Sequence, residues 1–131
     1  MNLSGSKRTI GNIGEDVACQ FLKKKGYEVI ERNYRKPWGE VDVVASKGGV
    51  VKFVEVKAVT GSAPGDFSRE MSANPEELID SRKLKKIART AELYMQERKD
   101  TREYQIDAVG VILDLKGRKA RCRLFEQVLG E

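Results

Sequence analysis

Gly39-Glu40-Val41-Asp42-Val43-Val44-Ala45 and, after Lys47-Gly48-Gly49, Val50-Val51-Lys52-Phe53-Val54-Glu55-Val56-Lys57 decide how this chain folds. Both stretches read as β-strand with a mostly apolar background, and a short glycine-rich connection folds one back beside the other. Side chains two apart on a strand share a face. That rule puts Glu40 with Asp42 on the first strand and Glu55 with Lys57 on the second. Three carboxylates and one ammonium are therefore expected to converge, flanked by Val41, Val43, Val54 and Val56. Gathering like charges is unfavourable unless a cation sits among them. The pattern is that of a divalent metal held by oxygen ligands with a lysine at its side.

Working outward, residues 10–25 carry Ile13, Val17, Phe21 and Leu22 at helical spacing, and Gly26 follows three lysines as a left-handed cap. Residues 27–34 read as a strand, and Arg35-Lys36-Pro37-Trp38-Gly39 turns the chain into the strand over 40–45. The third strand spans 50–59. Residues 60–74 form a long loop of a length that is often functional. Asn74-Pro75-Glu76-Glu77 is a helix start, with a break allowed at Asp80-Ser81 and Ser81 as a fresh cap. Leu84, Ile87, Ala88, Ala91 and Met95 mark the buried stripe of that helix, which ends near Lys99. Strands over 105–113 and 118–128, joined by Asp114-Leu115-Lys116-Gly117, complete the order α-β-β-β-α-β-β. The expectation is an α/β fold, a mixed central sheet flanked by helices, in one domain over 1–131 with a flexible arm at 1–9.

A chain of 131 residues suffices for one domain with a real core. No apolar run approaches a membrane span and the first residues lack a signal-peptide core, so a cytoplasmic location without membrane attachment is expected. Two distant cysteines, Cys19 and Cys122, form no metal-binding pair. Histidine is absent, which excludes imidazole bases and His-ligated zinc and leaves carboxylates, lysine, tyrosine or a hard ion. The net charge of +5 is concentrated in Arg82, Lys83, Lys85, Lys86 and Arg89 and again at Arg118, Lys119, Arg121 and Arg123. Such clusters suit a polyanion, though solvated faces account for each one alone.

Asp42 followed by Glu55-x-Lys57 on the next strand resembles the core of the PD-(D/E)xK restriction-endonuclease-like nucleases. More closely, the chain resembles the YraN-like family of that superfamily. The likeness rests on Gly11-x-x-Gly14-Glu15, Gly26-Tyr27, Arg32-Asn33-Tyr34, Gly39-Glu40-Val41-Asp42, Phe53-Val54-Glu55-Val56-Lys57, Lys83-x-x-Lys86-Ile87 and Ile106-Asp107. Val41 stands where the motif has proline, and Ala58-Val59 where many members carry Thr-Arg.

The resemblance implies Mg²⁺ or Mn²⁺ on Asp42 and Glu55, with the Val56 carbonyl and Glu15 as further ligands. Glu40 is expected to hold a second metal, to orient a ligand, or to do neither. A helix-start acid favoured by the dipole is the plain alternative for Glu15. Lys57 is expected to orient or help deprotonate an attacking water and to stabilise developing charge. Lys83 and Lys86 are candidate phosphate contacts. Asp107 is either a site member or a partner for a nearby base. Trp38 and Tyr34 are read as packing against the sheet, with stacking on a base as the alternative. The implied activity is metal-dependent hydrolysis of DNA. The alternatives are a Holliday-junction resolvase, which requires a homodimer, and a nucleic-acid-binding module without chemistry.

Overall fold

A computed structural model describes residues 7–61 and 79–129. The elements are α1 (Lys7–Lys24), β1 (Glu28–Lys36), β2 (Gly39–Lys47), β3 (Val50–Thr60), α2 (Ser81–Glu97), β4 (Tyr104–Asp114) and β5 (Lys119–Phe125). They follow the expected order α-β-β-β-α-β-β. The expected loop beyond Gly61 and the helix start at Asn74 lie outside the described residues. Among the described residues no helix is long and apolar enough to cross a membrane.

The strands form one sheet in the order β1-β2-β3-β4-β5. β2 and β3 join antiparallel through Gly48 and Gly49, whose φ angles of 59° and 80° supply the left-handed pair a tight hairpin needs. β4 lies parallel to β3, with α2 between them in sequence, and β5 returns antiparallel along β4. The sheet is therefore mixed.

One helix covers each face. Ala18, Cys19 and Leu22 of α1 pack on Val43, Ala45, Val54, Val109 and Val111. Leu84, Ile87, Ala91, Tyr94 and Met95 of α2 pack on Val44, Val51, Phe53, Ile106 and Ala108. Tyr94 sits edge-on between Tyr34 (5.0 Å) and Phe53 (5.3 Å), and its hydroxyl donates to Glu31 Oε2 at 2.8 Å. α1 begins at Lys7, three residues earlier than its apolar spacing indicates. It closes as expected at Gly26 (φ 92°), with the Tyr27 N–H returning to the Leu22 carbonyl at 3.0 Å. For α2 the cap is Asp80 rather than Ser81: its carboxylate accepts the Lys83 N–H at 2.9 Å. Both cysteines are free thiols.

Two close approaches set where the helices sit. A Cβ on Gly14 would collide with Ala58 Cβ of β3, and one on Gly39 would collide with Thr90 Oγ1 of α2. Glycine at these positions lets α1 lie against the far half of β3 and lets the start of β2 press on α2.

Candidate metal and nucleic-acid site

Strand alternation breaks at Asp42. Val41 packs in the α2 core and Val43 in the α1 core, although residues two apart should share a face. Opposite this point Asn33 of β1 takes φ 54°, between the Arg32–Val43 and Tyr34–Val41 pairs. The β2–β3 ladder ends at Val43–Val54, while β3 continues to Thr60 paired with β4 alone. Beyond that last rung the Asp42 carboxylate turns to β3 and accepts the Val56 N–H at 2.8 Å.

A cleft of about 730 Å³ opens where the two strands part. It is lined by Asn12 and Glu15 of α1, Asn33 and Arg35 of β1, Asp42 of β2, Glu55, Val56 and Lys57 of β3, and Lys83 of α2. Six of the eight residues expected at the site thus face one cavity or its wall.

Glu55 is 5 % exposed. Its carboxyl is pushed up to about 7, first by burial and then by the charge of Asp42, with Lys83 opposing both. The charge of Asp42 thus disfavours the ionised form of Glu55, and a cation nearby opposes that. Lys83 supplies one, its Nζ forming an ion pair with Glu55 Oε2. Burial works against the Lys83 charge, but the Glu55, Asp42 and Glu40 carboxylates carry its net shift upward. Lys57 lies exposed in the same cleft.

Glu15 reaches the cleft from the third turn of α1, so its place owes nothing to a helix start. Its Oε1 accepts from Arg32 Nη2 (3.1 Å), Arg32 Nε (3.3 Å) and Asn33 Nδ2 (2.8 Å). Glu40 stays outside. It lines a neighbouring cavity, is largely exposed and pairs with Arg35 at 2.7 Å. The break in alternation at Asp42 is the reason.

Lys86 also belongs to the neighbouring cavity. Asp107 is fully buried and does not line the cleft. It accepts Tyr27 Oη at 3.3 Å, Gln105 Nε2 at 2.8 Å and the Gln127 N–H at 3.0 Å. That network fastens the C-terminal segment, and the Val128 N–H adds a bond to the Ile106 carbonyl at 2.9 Å. Tyr34 is buried as its packing role requires, whereas Trp38 is 45 % exposed. The Lys83 contact with Glu55 had no signal in the sequence beyond the lysine pattern itself.

Among the described residues no three acidic or cysteine side chains gather closely enough to hold a metal by themselves. The available set is smaller: two carboxylate groups, a strand backbone and solvent. Hard ions that retain water and bind through one or two carboxylates plus substrate phosphate suit such a set.

Residues 14–111 match the model of an uncharacterised protein family, UPF0102. A UPF0102 protein of Thermotoga maritima is 41 % identical over 97 residues, covering 74 % of this chain and 81 % of that one. One from Caldicellulosiruptor saccharolyticus is 38 % identical over 112 residues, 85 % of this chain and 88 % of its own. One from Campylobacter lari is 33 % identical over 109 residues, 83 % and 88 %. The matched span runs from Gly14 within α1 through both motif strands and α2 to Val111 in β4. The chain belongs to the uncharacterised protein family UPF0102, the YraN-like family.

Proposed function

We propose that the cleft binds Mg²⁺ or Mn²⁺ and hydrolyses phosphodiester bonds in DNA. The observation that carries this reading is the buried Glu55 carboxyl next to the half-buried Asp42, a pair whose repulsion favours a cation, in the cleft that the exposed Lys57 also lines. Asp42 and Glu55 would hold the ion, with the Val56 carbonyl on the same wall. When bound, the ion would neutralise charge on the scissile phosphate and acidify a water.

The chain's own groups do the rest. The Val56 N–H fixes the Asp42 carboxylate, so its orientation is set before any ligand arrives. Lys57 is free to turn toward an attacking water, to orient it and to stabilise charge building on phosphorus oxygens. Lys83 stands at the cleft wall next to the place a phosphate would take. The phosphorus–oxygen bond to the leaving group breaks as the water oxygen bonds to phosphorus. The water's proton passes to solvent, the leaving oxygen takes one from solvent, and the Lys57 ammonium stays protonated to stabilise the charge between.

Purified protein with Mn²⁺ or Mg²⁺, offered linear, nicked, flapped and four-way DNA, tests this. Cleavage should occur on at least one substrate and fall by at least about 100-fold in Lys57→Ala. No cutting of any of them, or undiminished cutting by the variant, contradicts the reading.

A second reading has its own support. Lys83 already sits on Glu55 where a metal would bring charge, as expected of a nucleic-acid-binding module without chemistry. Binding would then fall steeply with salt and ignore divalent ions.

A further inference from the structure

Trp38, the chain's one tryptophan, occupies the turn between β1 and β2. An indole is among the largest apolar surfaces a fold can bury, yet this one remains 45 % exposed. It lines two cavities. One, of about 540 Å³, also contains Pro37, Ile87, Lys36, Arg82 and Lys86. The other, of about 400 Å³, lies against Leu93 and Gln96. Among the described residues no ring or cation stacks on the indole.

Lys83 lines both the larger cavity and the Asp42–Glu55 cleft, so the two are neighbours across one side chain. The acids at this cavity are engaged: Glu40 pairs with Arg35 and Asp80 caps α2. Lys83 is itself paired with Glu55, and Lys36, Arg82 and Lys86 leave the balance of the cavity positive. An open π-face ringed by cations fits a planar heterocycle attached to a phosphate backbone, and stacking tolerates any base.

We infer that the Trp38 cavity is a nucleobase subsite. It takes one unpaired base of a strand whose backbone passes Lys83 into the Asp42–Glu55 cleft. A base within an intact duplex is already stacked on its neighbours, so the subsite selects single-stranded or frayed segments. This rests on the nucleic-acid part of the proposed function and not on its chemistry.

The test uses the full chain in EDTA, so that cleavage plays no part. A short oligothymidylate should quench Trp38 emission, and a blunt duplex should leave it unchanged. Affinity is then read by anisotropy of an end-labelled strand. Trp38→Ala should weaken oligothymidylate binding by about 5- to 150-fold, and Trp38→Phe should recover much of the loss. An abasic strand of equal length should bind the wild type as weakly as oligothymidylate binds Trp38→Ala. It should bind that variant no more weakly still.

Equal quenching by duplex, or unchanged affinity in Trp38→Ala with native circular dichroism, overturns the inference. Base-dependent quenching without cleavage under Mn²⁺ keeps the subsite and removes the hydrolysis. Cleavage with unchanged affinity in Trp38→Ala does the reverse.

Discussion

The Lys83 ammonium on α2 is ion-paired with the buried Glu55 carboxylate on β3, in the cleft that Lys57 also lines. A helix-borne cation thus neutralises an acidic pair that two strands create. Removing it should expose the repulsion. Lys83→Met is expected to lose about 1–2 kcal/mol of stability in EDTA; a fully buried pair would lose more, but half of the lysine side chain is in solvent. Saturating Mn²⁺ should restore part of that loss. Urea titrations with and without the ion measure both, and an equal loss in the two conditions would argue against a shared cation position.

Asp42 has two separable duties. Its carboxylate accepts the Val56 N–H, and in the proposed function its charge would help hold the metal ion. Asp42→Asn keeps an acceptor, whereas Asp42→Ala leaves a half-buried N–H without one. The alanine variant should therefore be less stable than the asparagine variant by about 1–3 kcal/mol. Both should lose the thermal upshift that Mn²⁺ gives the wild type. Thermal melts of the three proteins separate the duties; equal melting points for the variants would show that the bond to Val56 carries no weight.

Gly14 touches the site through packing rather than chemistry. Its missing side chain lets α1 lie on Ala58, one residue past Lys57. Gly14→Ala should cost about 1–3 kcal/mol from overpacking. Ala58→Gly in the same chain should recover most of it, because the colliding atom is then gone. Chemical denaturation of the single and double variants decides, and simple additivity would contradict the contact.

Asp107 predicts a pH dependence. Burial raises its carboxyl above the ordinary value, against the hydrogen bonds from Gln127 and Gln105 that lower it. The folded protein therefore holds this proton more tightly than the unfolded chain. Stability contributed by the protonated form is greatest below the unfolded value. It declines as pH rises from there through the folded value. Asp107→Asn, which keeps acceptors for Gln105 and Gln127, should remove that decline. The difference in unfolding free energy between variant and wild type should grow from acid toward neutral pH, and a flat difference would contradict the assignment.

Much of this was legible before the fold was known. The Gly48-Gly49 hairpin, the Gly26 cap, the apolar stripe of α2 and the β-strand runs are local signals, and each produced its element. Asp42, Glu55 and Lys57 were marked by charge within apolar strands, and the three share one cleft. The misplacement of Glu40 has a definite cause. Period-two alternation assumes a regular ladder, and positive φ at Asn33 with the strand break at Asp42 removes that regularity. Asp107 gave no local clue to its Tyr27 and Gln127 partners, which come from distant segments. The Lys83–Glu55 pair is equally a product of packing, since α2 reaches β3 only once the sheet has formed.

The account stands on a divalent ion bound between Asp42 and Glu55. Anomalous diffraction from crystals grown in Mn²⁺ locates it most directly. The expected map has a peak between the two carboxyl groups, beside Lys57, with the Lys83 ammonium moved off Glu55. Crystals with Lys83 still on Glu55 and no peak at that position would contradict it.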